Sequence, residues 1–270
     1  MCDILNLPRS SYYKWNNRKE TEKEKHDQEL CQIILEYHAT YKGILGYRRM
    51  TKWINRLNQT KYNKKRIRRL MGLVGVSSKI RRKRKGYIKS TPQITAENVL
   101  NRDFKAEAPN TKWLTDVTEF KVIGSTKKTY LSAIFDLCDR SIVSYVLGVS
   151  NNNPLVFETF DKAIAANPGA KPLVHSDRGY QYTSKHFKDK LDGIKATQSM
   201  SRVGRCIDNG PMEGFFDILK SEMYHLNKFH STKDLEQAID EYIHFYNNER
   251  FQDKLKDLTP IEYRNQALAN

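Results

Sequence analysis

From Tyr37 to Ala96 the chain runs sixty residues without one Asp or Glu, while carrying 18 Lys and Arg over the same span. A segment so charged cannot neutralise its own surface. It folds only around an apolar interior that leaves a strongly cationic face, and such a face attracts polyanions and releases their condensed counterions on contact. The asymmetry extends to the whole chain. Residues 1–110 hold 26 Lys and Arg against 10 Asp and Glu, and residues 111–270 hold 21 of each sign, so the net charge of +16 belongs to the first part. A solvated face, an anionic-lipid patch or a nuclear address would also give basic runs. No amphipathic helix with Trp or Phe anchors accompanies this one, which argues against lipid, and nucleic acid is the expected partner.

The basic part reads as helical. Leu30, Ile33, Ile34 and Tyr37 repeat at helical spacing, Gly43 and Gly46 punctuate, and Tyr47, Met50, Trp53, Ile54 and Leu57 resume the stripe. After a polar turn at Asn58–Asn63, the residues Ile67, Leu70, Met71 and Val74 make a third stripe. Short helices joined by tight turns suit a helix-turn-helix module. The charge concentrates in two runs, Lys64, Lys65, Arg66, Arg68, Arg69 and then Arg81, Arg82, Lys83, Arg84, Lys85. These are the candidate DNA contacts. The boundaries expected are a helical DNA-binding region over 1–75, a basic linker over 76–108 and a second domain with a C-terminal helical tail over 109–270.

From Thr111 the period changes from helical to alternating. KWLTDVTEFKV places Leu114, Asp116, Thr118 and Phe120 on one face, and TYLSAIFDL and SIVSYVLGV follow closely enough to predict an antiparallel meander. A helix over Pro154–Ala166, a short buried strand in KPLVHS, a helix near Ser184–Leu191 and a fifth strand in IKATQSM come next. Helices over Pro211–Met223 and Leu235–Tyr246 close the pattern. The fold class expected is α/β, a mixed five-stranded sheet flanked by helices and preceded by a small all-α region. Trp53 and Trp113 are expected in the core.

Three acids stand where acids are otherwise unfavourable. Asp116 is mid-strand, Asp177 follows directly after a buried strand, where α/β sheets place ligands, and Glu213 opens a helix after Asp208-Asn209-Gly210-Pro211. Phosphodiester chemistry would explain acids beside a basic domain, because hard divalent cations take carboxylate oxygens and a metal pair can activate the attacking oxygen and stabilise the leaving one. Asp136, Asp139 and Asp208 compete for the same role, and residue types alone do not choose among them. His175 and Arg178 beside Asp177 suit either a phosphate contact or a core or cap role. Arg202, Arg205 and Lys220 border the Glu213 helix and would suit a DNA-facing rim.

Several classes are excluded. No stretch approaches the ~20 apolar residues of a membrane span, and the opening MCDILNLPRSSYYKW has no apolar run ending in a cleavage site, so neither membrane nor export is expected. Cys2, Cys31, Cys138 and Cys206 are far apart and show no paired spacing with the seven histidines, so no zinc module is expected.

WLTDVTEF, VHSDRGYQYTS and SRVGRCIDNGPMEGFFDILKSE resemble the three signature blocks of the OrfB-type insertion-sequence transposases, members of the DDE superfamily that includes the retroviral integrases. Thirty-five residues separate Asp177 from Glu213, as in the D,D(35)E pattern. LNLPRSSYYKW and YKGILGYRRM resemble the family's N-terminal DNA-binding region, and HFYNNERFQDKLKDLTPIEYR its C-terminal tail. Ile207 departs from the aromatic residue common before the Asp-Asn pair.

The resemblance implies a ribonuclease H-like integrase core with Asp116, Asp177 and Glu213 as catalytic and metal-binding residues, using two Mg²⁺ or Mn²⁺ ions and no zinc. It also implies a DNA transposase that cuts and joins insertion-sequence ends by transesterification. Double-stranded DNA, a homo-oligomer on that DNA, an upstream frameshift-fused helix-turn-helix protein and a bacterial cytoplasmic, nucleoid-associated location are its expected partners and setting. The alternatives are a ribonuclease H-like nuclease without strand transfer and a non-catalytic DNA-binding regulator of transposition.

Overall fold

The computed structural model describes residues 2, 7–80, 97–124, 128–202 and 206–269, the side chains of residues 206 and 207 excepted. Arg81, Arg82, Lys83, Arg84, Lys85 and Arg205 lie outside the described residues, as does the side chain of Ile207. The chain divides into two compact units, 1–79 and 80–270.

In the first unit, α1 (Arg9–Asn16) buries none of its residues. Helix α2 (Glu22–Thr40) begins in a capping box, with Thr21 accepting from Glu24 N–H while the Glu24 carboxylate returns to Thr21 N–H. Gly43, at φ +75°, turns the chain into α3 (Tyr47–Leu57), and Asn63 caps α4 (Lys64–Leu73). Leu30, Ile34, Met50, Trp53, Ile54, Ile67, Leu70 and Met71 are the buried core of these helices. Leu57, although in phase, is 49% exposed, because it falls in the last turn of α3 beyond the reach of α4.

The second unit holds a five-stranded sheet in the order β3-β2-β1-β4-β5. Strands β1 (Lys112–Lys121), β2 (Lys128–Asp136) and β3 (Ile142–Gly148) form an antiparallel meander, and β4 (Leu173–Ser176) and β5 (Thr197–Met200) continue it in parallel with β1. Helices α5 (Asn153–Ala166) and α6 (Lys185–Gly193) connect the parallel strands and cover one face with Trp113, Val156, Phe160, Val174 and Phe187. The other face, with Leu114, Phe120, Leu131 and Phe135, lies under α7 (Gly210–Glu222) and α8 (Thr232–Asn248). Trp53 and Trp113 are both fully buried.

Helix α9 (Pro260–Ala269) was not expected from periodicity. Its start is a capping box, Thr259 N–H donating to Glu262 and Glu262 N–H to Thr259 Oγ1, and that T-x-x-E spacing was the available signal.

Within the span 76–108 expected as linker, described residues at both ends are engaged by their own units. Lys79 N–H donates to Gly43 O, so the chain after α4 stays on the helical unit. Leu100 is buried in the second unit's core and its N–H donates to Ser199 Oγ. Apolar anchors isolated among basic and polar neighbours, such as Leu100, carry no periodicity that would reveal them in the sequence.

Candidate active site

The topology brings the three candidate acids towards one end of the sheet. Leu114 of β1 pairs with His175 of parallel β4; Asp116 lies two residues further along β1, and Asp177 directly follows the end of β4. Asp116 shares the face of Leu114 and Phe120, which α7 covers, and Glu213 lies in the first turn of that helix. Glu213 and Asp177 both act on Asp116 through their charges.

Asp116 is half-buried, and its Oδ1 accepts the N–H of Val117 at 2.7 Å. Burial, then the Asp177 charge and more weakly that of Glu213, push its pKa up to about 8, against the Val117 N–H and the Lys220 ammonium. Asp177 still meets solvent, yet enough protein surrounds its carboxyl for partial desolvation to raise it too, opposed by the Gly179 N–H at 2.8 Å. The charges of Asp177 and Glu213 both favour the protonated form of Asp116. A Cβ at Gly179 would stand 2.7 Å from Gln181 Oε1 and 3.0 Å from Asp177 Oδ1, so those side-chain ends would have to shift to admit it.

The competing acids are engaged elsewhere. Asp136, at the end of β2, accepts from Asn110 N–H, Trp113 Nε1 and Cys138 N–H, and with Asp139 it faces the Arg264 guanidinium of α9. Asp208 is fully buried and receives both Arg102 and Arg202. Among the described residues no three His, Cys, Asp or Glu side chains already stand in an arrangement that could hold a metal. The donor set itself, three carboxylates with hard oxygen atoms, fits a divalent cation of the Mg²⁺ type and carries no soft ligand.

The flanking residues divide. His175 is a core residue, its ring nitrogens bridging Ser199 Oγ at 2.9 Å and Ser201 Oγ at 3.1 Å, and burial lowers its pKa to about 4, so it is neutral. Arg178 Nε donates to Ser201 O. Lys220, on α7, sits 5.3 Å from the Phe120 ring centroid, close enough to Asp116 and Glu119 to feel both charges. Arg202, expected at a DNA rim, keeps its side chain 40% exposed and holds Asp208 through its backbone N–H, Nε and Nη2.

On α4 of the helical unit the basic run also divides. Arg66, half-buried, and Arg69, still exposed, both pair with Asp27 of α2. Lys64, Lys65 and Arg68 are exposed, and Arg68 lies over the Tyr47 ring at 5.4 Å. Arg48 donates to the same phenol oxygen at 3.2 Å. From the sequence Tyr47 is expected in a helical stripe and both residues lie within YKGILGYRRM, with neither named as a DNA contact; an aromatic beside Arg in YRRM was the available signal.

An integrase core domain model matches residues 106–206, a second integrase core domain model matches residues 213–268, and an HTH-like domain model matches residues 25–84. The putative transposase InsK for insertion sequence element IS150 of Escherichia coli (strain K12) is 41% identical over 262 residues, covering 97% of this chain and 91% of its own length. The chain belongs to the insertion-sequence transposases. An uncharacterized transposase-like protein of Haemophilus influenzae is 42% identical over 208 residues, covering 77% of this transposase and 95% of that protein. A simian T-cell lymphotropic virus intasome chain, at 16% identity and a TM-score of 0.51, covers 86% of the transposase and 74% of that chain and shares its fold. The second unit of the transposase is thus a ribonuclease H-like integrase core, that of a DDE polynucleotidyl transferase. Among the described residues no helix is long and apolar enough to cross a membrane.

Proposed function

We propose that this transposase cuts and joins the ends of its own insertion sequence, with Asp116, Asp177 and Glu213 holding two Mg²⁺ or Mn²⁺ ions. The observation that carries the reading is the Asp116 carboxyl, raised to about 8 by burial and by the charges of Asp177 and Glu213. A proton on Asp116 then relieves a repulsion that divalent cations would relieve better. When bound, such ions activate an attacking oxygen and stabilise the leaving one in phosphodiester displacement. The protein's own part is to hold Asp116 on a central strand, to fix Asp177 through Gly179, and to bring Lys220 near the phosphate that the acids address. Water is the nucleophile for end cleavage and the freed 3′ hydroxyl the nucleophile for joining, with no covalent protein–DNA link.

The exposed cations Lys64, Lys65 and Arg68, with Tyr47 and Arg48, form the DNA face of the helical unit. Arg66 and Arg69 are held by Asp27 and serve the packing of α4 on α2. Arg81–Lys85 add to the basic surface on sequence grounds alone. A homo-oligomer on DNA, an upstream frameshift-fused partner and a bacterial cytoplasmic, nucleoid-associated setting complete the reading.

Incubating the protein with labelled terminal DNA, with and without Mg²⁺, tests it. A joined strand product that needs the metal is expected. Cleavage without joining would leave a nuclease, and binding without cleavage a regulator. Glu213→Gln should abolish cleavage and leave DNA affinity intact; cleavage at the wild-type rate in that variant would remove Glu213 from the chemistry.

A further inference from the structure

Five residues before Glu213 stands a carboxylate saturated with donors. Asp208 belongs to the 3-10 turn Cys206–Asn209, which runs directly into α7, and it is 0% exposed. Its Oδ2 accepts from Arg202 N–H at 3.0 Å, Arg202 Nε at 2.9 Å and Asn98 Nδ2 at 3.0 Å. Its Oδ1 accepts from Arg102 Nε at 2.6 Å and Arg202 Nη2 at 3.0 Å. Both oxygens are occupied by cationic or amide donors, so Asp208 has no lone pair left for a metal.

On Asp208 therefore meet the loop after β5, through Arg202, and a segment remote from α7, the lead-in to β1, through Asn98 and Arg102. That lead-in is itself fixed, because Leu100 is in the core and Met200 N–H donates to Glu97 O. The next residue, Asn209, is 2% exposed and donates from Nδ2 to Thr115 O at 3.3 Å, the carbonyl just before Asp116. Its Oδ1 has no hydrogen-bond partner among the described residues. Helix α7 meanwhile begins without a side-chain cap at Asn209. Local chemistry does not fix where this helix starts; tertiary anchors do.

We propose that Asp208 and Asn209 are positioning residues that set the start of α7, and so the placement of Glu213 opposite Asp116, with Arg102 locking Asp208. The inference rests on the reading of Glu213 as a metal-holding acid. A network of buried ion pairs is a weak source of stability, whereas its directional bonds specify geometry. Partners that orient metal ligands typically change metal affinity about 10- to 100-fold when removed.

The test uses the full chain and Mn²⁺ alone, followed by calorimetry, with melting temperature in chelator and affinity for a random duplex measured alongside. Arg102→Ala and Asn209→Ala should each weaken Mn²⁺ binding ~10-fold or more. Duplex affinity and chelator melting temperature should stay close to wild type. Arg102→Lys should restore most of the loss, since an ammonium can reach the same carboxylate. Wild-type Mn²⁺ binding in both alanine variants would overturn the proposal, as would a loss that follows melting temperature and is not rescued by Lys. Wild-type Mn²⁺ binding in Glu213→Gln would overturn the underlying reading of Glu213 instead, and the positioning role with it.

Discussion

At the candidate site Asp116 is the carboxyl whose protonation the fold shifts furthest. Its folded pKa is about 8 against 3.8 for the free side chain. The folded state therefore binds the extra proton between those values, and metal-free stability falls as pH rises through that window. Asp116→Asn, which never ionises, should melt close to wild type near pH 4 in chelator and roughly 5 °C higher at pH 8. Divalent cations at pH 8 should raise the wild-type melting temperature and leave the variant's unchanged. Gly179→Ala probes the neighbouring acid: the added Cβ displaces Asp177 Oδ1 or Gln181. Cleavage should drop ~10-fold or more, as ~1 Å misplacements do, with little change in melting temperature. At this scale the sequence was informative about residues that break local rules, such as an Asp in a strand. Residue types alone could not separate Asp116 from Asp136; the resemblance of WLTDVTEF to a signature block did, and the fold adds that Asp136 is already committed to Arg264 and Trp113.

Among the elements, α7 matters most, because it carries Glu213 at one end and Glu222 at the other. Glu222 is buried with Arg250 across a bidentate pair at 2.8 and 3.0 Å and accepts from the Tyr242 hydroxyl at 2.9 Å. Arg250→Met leaves that carboxylate buried and without its cation, and should cost ~3–5 kcal/mol in denaturant unfolding. Glu222→Gln added to it should recover a large part. The helices and strands with strong periodicity were legible: the 3.6-residue stripes of α2 to α4, the alternation of β1. Elements fixed by long-range polar bonds were not. The lead-in with Asn98 and Arg102 reads as linker until Asp208, more than a hundred residues on, supplies its partner.

For the molecule as a whole, charge is divided between units of different task, with the surplus of +16 confined to residues 1–110. Duplex binding should weaken steeply with salt. Replacing Lys64, Lys65 and Arg68 by Ala together should make the log–log slope shallower by about 0.9 for each phosphate that is no longer neutralised. Arg66→Ala should leave the slope near wild type and destabilise the helical unit, since Asp27 loses a partner.

Arg264 joins Asp139, Asn110 and Asn167, three points scattered along the preceding sequence, and its guanidinium also faces Asp136. During synthesis, the buried acids at that edge must wait until residue 264 has left the ribosome before they are neutralised. A product released earlier would carry a finished DNA-binding unit attached to an unfinished catalytic one. Such fragments would occupy target sequences without cutting them, so premature termination would itself yield a competitor of the intact polypeptide.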